Sequence, residues 1–229
     1  EDYGNGWYRV SGKFSGWSGL STLRVYMANS SSSNWASTTT TIGNYYYGYG
    51  FQVEANASFA TSYIPTSGST TTRTEDVCNN AGTSATFNDS EGVLFAEIAS
   101  LSNVGVANRT ISISDGTNTN QIVLRFSVTA NQILAYITDG GVITAQLTHT
   151  LTNALIYNKI GLKYKVNDVA LWVNGTEVAT DTNATMPSGF DEFKFSRGDG
   201  INKFYGKCKQ LIYFNEALTD EELAALTTI

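Results

Sequence analysis

Between Arg109 and Asp181 apolar side chains recur at every second position, and each run stops at a turn-forming pair. Ile111 and Ile113 share one face, then Asp115-Gly116 interrupts. Ile122, Leu124, Phe126 and Val128 follow, then a second run ends at Asp139-Gly140-Gly141. Ile160, Leu162, Tyr164 and Val166 line one face with Lys163 and Lys165 opposite; Asn167-Asp168 turns the chain, and Val169, Leu171 and Val173 return. Asn174-Gly175 comes next, a pair that takes the positive φ values a two-residue hairpin requires. A period of two is the signature of strands with one face buried. "DEFKFSR" and "KQLIYFN" close the series. One helix is expected, and it is the last element: in "LTDEELAALTTI" Thr219 is the N-cap, Glu222 completes a capping box, Leu218 is the staple residue, and Leu223 and Leu226 face inward. Many antiparallel strands and a single terminal helix imply an all-β sandwich.

The first part of the chain reads differently. "WYRVSGKFS", "STLRVYMA" and "YYYGYGFQVEA" (45–55) have strand character. They are too few to bury both faces of a sheet unaided. "SFATSYIPTSGSTTTRTEDV" (58–77) then runs through Ser, Thr and Gly to a charged cluster, as a boundary would. The expected organisation is a partial β unit over 1–62, a linker over 63–76 and a sandwich over 77–229.

Composition excludes some partners. Charged residues are 15% of the chain and the net charge is -6, whereas a nucleic-acid partner calls for a basic patch. No apolar run approaches the roughly 20 residues of a membrane span, so no membrane insertion is expected. The chain opens on Glu1-Asp2 without a basic, apolar leader, as expected of a mature product or a fragment. Cys78 and Cys208 admit two readings: two small apolar thiols, or a bridge closing about 130 residues, worth about 4–5 kcal/mol.

Two groups of residues carry a resemblance. Gln52, Glu54, Ala60, Thr61, Ser62, Tyr63, Ile64, Pro65, Thr66, Thr72, Arg73 and Asp76 resemble a junction of bacteriophage tail and fibre proteins, of the form "G-x-Q-x-E-x-G-x-x-A-T-S-Y-I-P-T" followed by "T-x-T-R-x-x-D". Asn56 stands where that pattern has Gly. "NGWYRVSGKFS" resembles a strand of the jelly-roll module upstream of the same junction. Residues 77–229 resemble the laminin-G-like, concanavalin A-like domain, through Leu171, Val173, Asn174 and Gly175, and then Phe204, Gly206, Leu211, Tyr213, Ala217, Leu218, Thr219, Glu222 and Leu226. The resemblance implies a jelly-roll β-sandwich and a virion or extracellular setting. Phage fibres are commonly trimers, so it also implies a homo-oligomer among other virion proteins.

Chemistry is sparse. A glycosidase needs two carboxylates flanking one bond, and no run spaces them on one strand face, so no catalytic residue is expected. His149 reads as a surface or turn residue. Domains of the resembled type often hold Ca2+ at the rim; Asp115, Asp139, Asp168 and Asp199 sit in turns, where Asp also stabilises the backbone directly. Aromatic side chains suit sugar binding, since a pyranose stacks on Trp or Tyr. The candidates are Trp172, Trp17, Trp35 and Tyr46, each with an alternative as core or subunit contact. The expected function is a virion structural and adhesive protein, a tail-fibre, tail-tip or head-fibre subunit that binds a host surface glycan. The alternative is a secreted bacterial carbohydrate-binding module, and a polysaccharide-degrading enzyme ranks third.

Overall fold

The fold comes from a computed structural model, which describes residues 2, 4–12, 47–54, 60–72, 81–103 and 108–229. Contacts divide the chain into Glu1–Thr74 and Glu75–Ile229.

Among its described residues the second unit contains ten strands and one helix: β1 Glu91–Ser100, β2 Arg109–Ser114, β3 Gln121–Phe126, β4 Gln132–Asp139, β5 Val142–Thr150, β6 Asn158–Lys165, β7 Val169–Val173, β8 Thr176–Asp181, β9 Glu192–Lys194, β10 Gly206–Phe214 and α1 Asp220–Thr227. They form two five-stranded antiparallel sheets, ordered β10-β1-β6-β7-β8 and β5-β4-β3-β2-β9. The all-β sandwich with a short C-terminal helix read from the sequence is the fold found.

The alternating residues make the core. Leu94, Ala96 and Ile98 from β1, with Ile160, Leu162 and Leu171, meet Ile111, Ile113, Ile122, Leu124, Ile133 and Ile137 from the other sheet. Val128 and Val166, read as inward-facing, lie beyond the strand ends and are exposed, because the turns there leave the pleat. Asn174 and Gly175 have φ values of 50 and 86°, the pair of left-handed residues that a tight hairpin needs. Within the core Tyr164 Oη donates to Asn88 O at 2.7 Å and lies 2.9 Å from Tyr213 Oη, so the buried phenol is satisfied. Burial, reinforced by the Tyr213 hydroxyl, pushes the Tyr164 pKa far up.

The helix covers the outer face of the first sheet. Thr219 accepts from the Glu222 amide while the Glu222 carboxylate accepts from the Thr219 amide. Leu223 packs on Val93, Ala170 and Trp172, with Phe214, Leu218 and Ala224 around them. Leu226 is only half-buried, and Thr227 takes the second inward place instead. Lys163 ties the helix start to the sheet through Asp168 at 2.9 Å and Asp220 at 3.4 Å.

In the first unit the described residues form one isolated bridge, Asp2 with Tyr8, and no ladder. The strand expected over 45–55 is not formed in its described part, 47–54, which carries no strand and joins no β ladder among the described residues. Side chains do the work instead. Gln52 Oε1 accepts from the Ile64 amide at 2.7 Å, and its Nε2 donates to Glu54 Oε1 at 2.7 Å. Glu54 also accepts from the Thr61 amide at 3.0 Å and from the Thr61 hydroxyl, and Arg9 donates to Thr61 O. Period-two spacing puts Gln52 and Glu54 on one side, which is why the two act as a single latch on 61–64. Gly50 has φ +69, and a Cβ there would meet the Tyr63 ring at 3.3 Å.

Two measurements test this packing. Leu223→Ala should cost about 2–5 kcal/mol in urea unfolding, since the cavity opens over Trp172; an unchanged midpoint would show that the helix is not part of the core. Slight burial works against the charge of Glu54, yet the hydrogen bonds from Thr61 and Gln52 prevail and hold its pKa below 4.5. A depressed folded pKa stabilises above the unfolded value and loses that contribution as pH falls through the folded one. Cleavage near residues 55–72 by an acid-active protease should therefore accelerate below about pH 4 relative to Glu54→Gln, which should be flat with pH.

Candidate functional site

Two of the four sheet faces meet in the core and a third lies under α1. The fourth is the outer face of the second sheet. Its outward positions alternate with the core residues: Thr110, Ser112 and Ser114 on β2, Gln121, Val123 and Arg125 on β3, Leu134 and Tyr136 on β4, Gln146 and Thr148 on β5. Register places Tyr136 beside Val123 and Gln146, and Leu134 beside Arg125 and Thr148.

A loop, residues 195–203, folds over the β2 side. Ser112 Oγ donates to Ser196 O at 2.7 Å, Thr110 N to Asn202 O at 3.1 Å, Gly198 N to Gln121 Oε1 at 3.2 Å, and Lys194 Nζ to Gly198 O at 2.8 Å. Only glycine fits at 198, because a Cβ would lie 1.9 Å from Thr117 O. The loop buries the serines of β2; toward β5 the face opens, with Arg125 half-buried and Gln146 and Thr148 exposed.

On the open side Val123, Leu134 and Tyr136 form a small apolar floor. The Arg125 guanidinium lies 5.1 Å above the Tyr136 ring. Its Nε is buried and has no hydrogen-bond partner among the described residues, while the side chain as a whole is half-buried. Arg197 and Asp199 pair with each other through two contacts beside Tyr136. That pairing holds the Asp199 carboxylate below its usual range and raises the Arg197 pKa. Burial raises the Tyr136 pKa against the opposing charges of Arg125 and Arg197. The site therefore offers a guanidinium over an aromatic ring, flanked by the exposed Gln146 amide and Thr148 hydroxyl. Such a set can receive an anion or a polyol; it contains no pair of carboxylates for acid–base work.

Of the aromatic candidates, Trp172 is 7% exposed beneath Leu223, and its indole Nε1 has no hydrogen-bond partner among the described residues. Its ring is core and offers no platform. Trp17, Trp35 and Tyr46 lie outside the described residues. Each turn aspartate already has protein partners. Asp115 accepts from Thr117 and Asn120, Asp139 from Thr185, Asp168 meets Lys163, and Asp199 meets Arg197. Burial opposes the charge of Asp115, but those hydrogen bonds outweigh it and lower its pKa. A shallow polar pocket is lined by Gly82, Asp115, Gly116, Asp191 and Glu192. Among the described residues no group of three His, Cys, Asp or Glu is placed to hold a metal ion. Cys208 is a free thiol on β10, its pKa raised by partial burial; Cys78 lies outside the described residues. His149 faces the sandwich interior from β5 at the register of Ile133 and is half-buried.

Sequence reading missed Arg125 and Tyr136. The available signal was positional: each is the bulky polar residue between inward positions, in "IVLRFSV" and "ILAYIT". That the two meet follows only from the β3–β4 register.

No known protein family and no curated protein matches the sequence. Solved structures do. The fold is similar to the CBM40 module of the Ruminococcus gnavus IT-sialidase, at TM-score 0.52 and 20% identity over 62% of this chain and 84% of that one. It is similar to a leech intramolecular trans-sialidase, at 0.51 and 20%, over 62% of this chain. It is also similar to the NanB sialidase of Streptococcus pneumoniae, at 0.51 and 15%, over 63%. The match spans only 24% and 25% of those two enzymes. At such identity the likeness is one of fold.

Gly198→Ala should lift the loop off the sheet and cost about 1–3 kcal/mol, read as a lower thermal midpoint; an unchanged midpoint would mean that the loop contributes nothing to the face beneath it.

Proposed function

We propose that the sandwich is a non-catalytic carbohydrate-binding module whose site is the open side of the second sheet, and that its ligand is a glycan carrying an acidic sugar. The observation that carries this is Arg125: a half-buried guanidinium held 5.1 Å over the Tyr136 ring, on the face where Gln146 and Thr148 are exposed. A guanidinium pairs a carboxylate bidentately, and the neighbouring amide and hydroxyl of Gln146 and Thr148 suit sugar hydroxyls. The R. gnavus module of similar fold has been solved bound to α2,3 and α2,6 sialyllactose, which supports the same ligand class here.

The setting is a separate reading. The phage-type junction supports a virion subunit, a trimeric tail or head fibre exposed to the host surface. Its residues Gln52, Glu54, Thr61 and Ile64 are those that form the latch, so the motif has a physical reason to recur as a unit. Copies linked in one particle would multiply weak contacts into avidity. A trimeric mass by light scattering supports the fibre, and a monomer supports the secreted module.

Titration calorimetry of the full chain with sialyllactose and with lactose tests the binding. Sialyllactose should bind and lactose should be weaker by roughly tenfold or more, the worth of one charge-assisted pair. Arg125→Ala should remove the difference while keeping the wild-type thermal midpoint. Equal affinity for both sugars, or none for either, would end the proposal.

A further inference from the structure

We propose that one end of the sandwich docks on an anionic lipid bilayer surface without crossing it. This end is where β1, β3, β5 and β7 finish and β2, β4, β6 and β10 begin. Two of the loops at this end are residues 127–131 and 151–157. They are fixed side by side: Leu151 N donates to Asn131 O at 2.7 Å, Ala154 N to Asn131 Oδ1 at 3.1 Å, and Ser100 N to Ala154 O at 2.7 Å.

The tip is apolar where a tip should be polar. Val128, Leu155, Ile156 and Tyr157 are 53, 45, 55 and 39% exposed. Several of the polar backbone groups beneath them are satisfied from inside. Leu155 N donates to Asn153 Oδ1, and Asn158 Nδ2 donates to both Asn153 O and Ile156 O at 3.0 and 2.8 Å. A loop that meets its own hydrogen bonds can leave water at low cost, which is the requirement for contact with acyl chains.

Charge selects the surface. Lys209 Nζ lies 5.9 Å from the Tyr157 ring and pairs with Glu97 at 2.8 Å; Lys159, Lys203 and Lys207 sit at the same end, against the one exposed acid Glu177 among the described residues there. The opposite end carries Asp89, Asp115, Asp139, Asp168, Asp181 and Asp191. A module polarised in this way, in a chain of net charge -6, meets an anionic surface tip-first and is repelled in the reverse orientation. Branched aliphatic side chains favour lipid over polysaccharide, because sugars stack on flat aromatic faces. A two-fold contact between copies through this end would bring like charges together.

Flotation of the full chain with glycan-free vesicles tests the idea, using phosphatidylcholine alone and phosphatidylcholine with phosphatidylserine. The anionic vesicles should carry about tenfold more protein, an excess that falls with added salt. Leu155→Ser with Ile156→Ser should abolish flotation at an unchanged thermal midpoint, and Val142→Ser with Ile143→Ser, at the opposite end, should leave it intact. Ile156→Trp should show a blue-shifted emission change on anionic vesicles. No flotation of the wild type, equal flotation of the Leu155/Ile156 variant, capture by a soluble polyanion but not by vesicles, or self-association through this end would each overturn the proposal. Arg125→Ala should float as wild type, so the outcome is independent of the glycan site.

Discussion

Two sheets with one shared aliphatic layer set every other feature of the sandwich. Ile111, Ile113, Ile122 and Leu124 face Leu94, Ile98, Ile160 and Leu162, all fully buried. Because strand side chains alternate, fixing those residues inward fixes their neighbours outward. The second faces of both sheets then need separate treatment. On the first a helix packs over the β6–β8 side, and on the second a loop covers the β2 side. That half-cover leaves Arg125 half-buried over the buried Tyr136 ring.

The difference between the two outer faces is one of chemistry. Under the helix lie Val93, Ala170 and Trp172, which make a dry contact with Leu223. Under the loop lie Thr110, Ser112 and Ser114; the loop backbone accepts from the Ser112 hydroxyl and from the Thr110 amide, while the Thr110 hydroxyl has no partner among the described residues. A polar strand draws backbone, whereas an apolar strand draws an amphipathic helix. The same rule accounts for glycine at 198, where backbone must come close, and for leucine at 223, where a gap must be filled.

The first unit is organised by another means. Its described residues hold together through Gln52, Glu54, Thr61 and Arg9 rather than through a strand ladder. A buried ladder tolerates many apolar substitutions; a latch of named donors and acceptors tolerates few. This explains how a junction can be recognisable in sequence while the strands around it are not. The latch, the Arg125–Tyr136 face and the apolar tip use separate groups of residues, so each can change without the others.

Much of the sandwich was legible in advance. Alternation around Asn174-Gly175 and Asp139-Gly140-Gly141 gave strands and turns, and Thr219 with Glu222 gave the helix and its start. These are local effects: period two, positive φ and capping each act within a few residues. Two things escaped. Val128 and Val166 kept the alternation but fell past the strand ends, since periodicity does not say where a ladder stops. Trp172 read as core ahead of platform, and the helix that covers it makes it core. Arg125 and Tyr136 gave no motif, because they are adjacent across strands and not along the chain. The sequence by itself determined which residues alternate, where the chain turns and where the last helix begins. The tertiary structure alone decided which outer face was covered, by what, and which side chains met there, because those depend on register between strands that are distant in sequence.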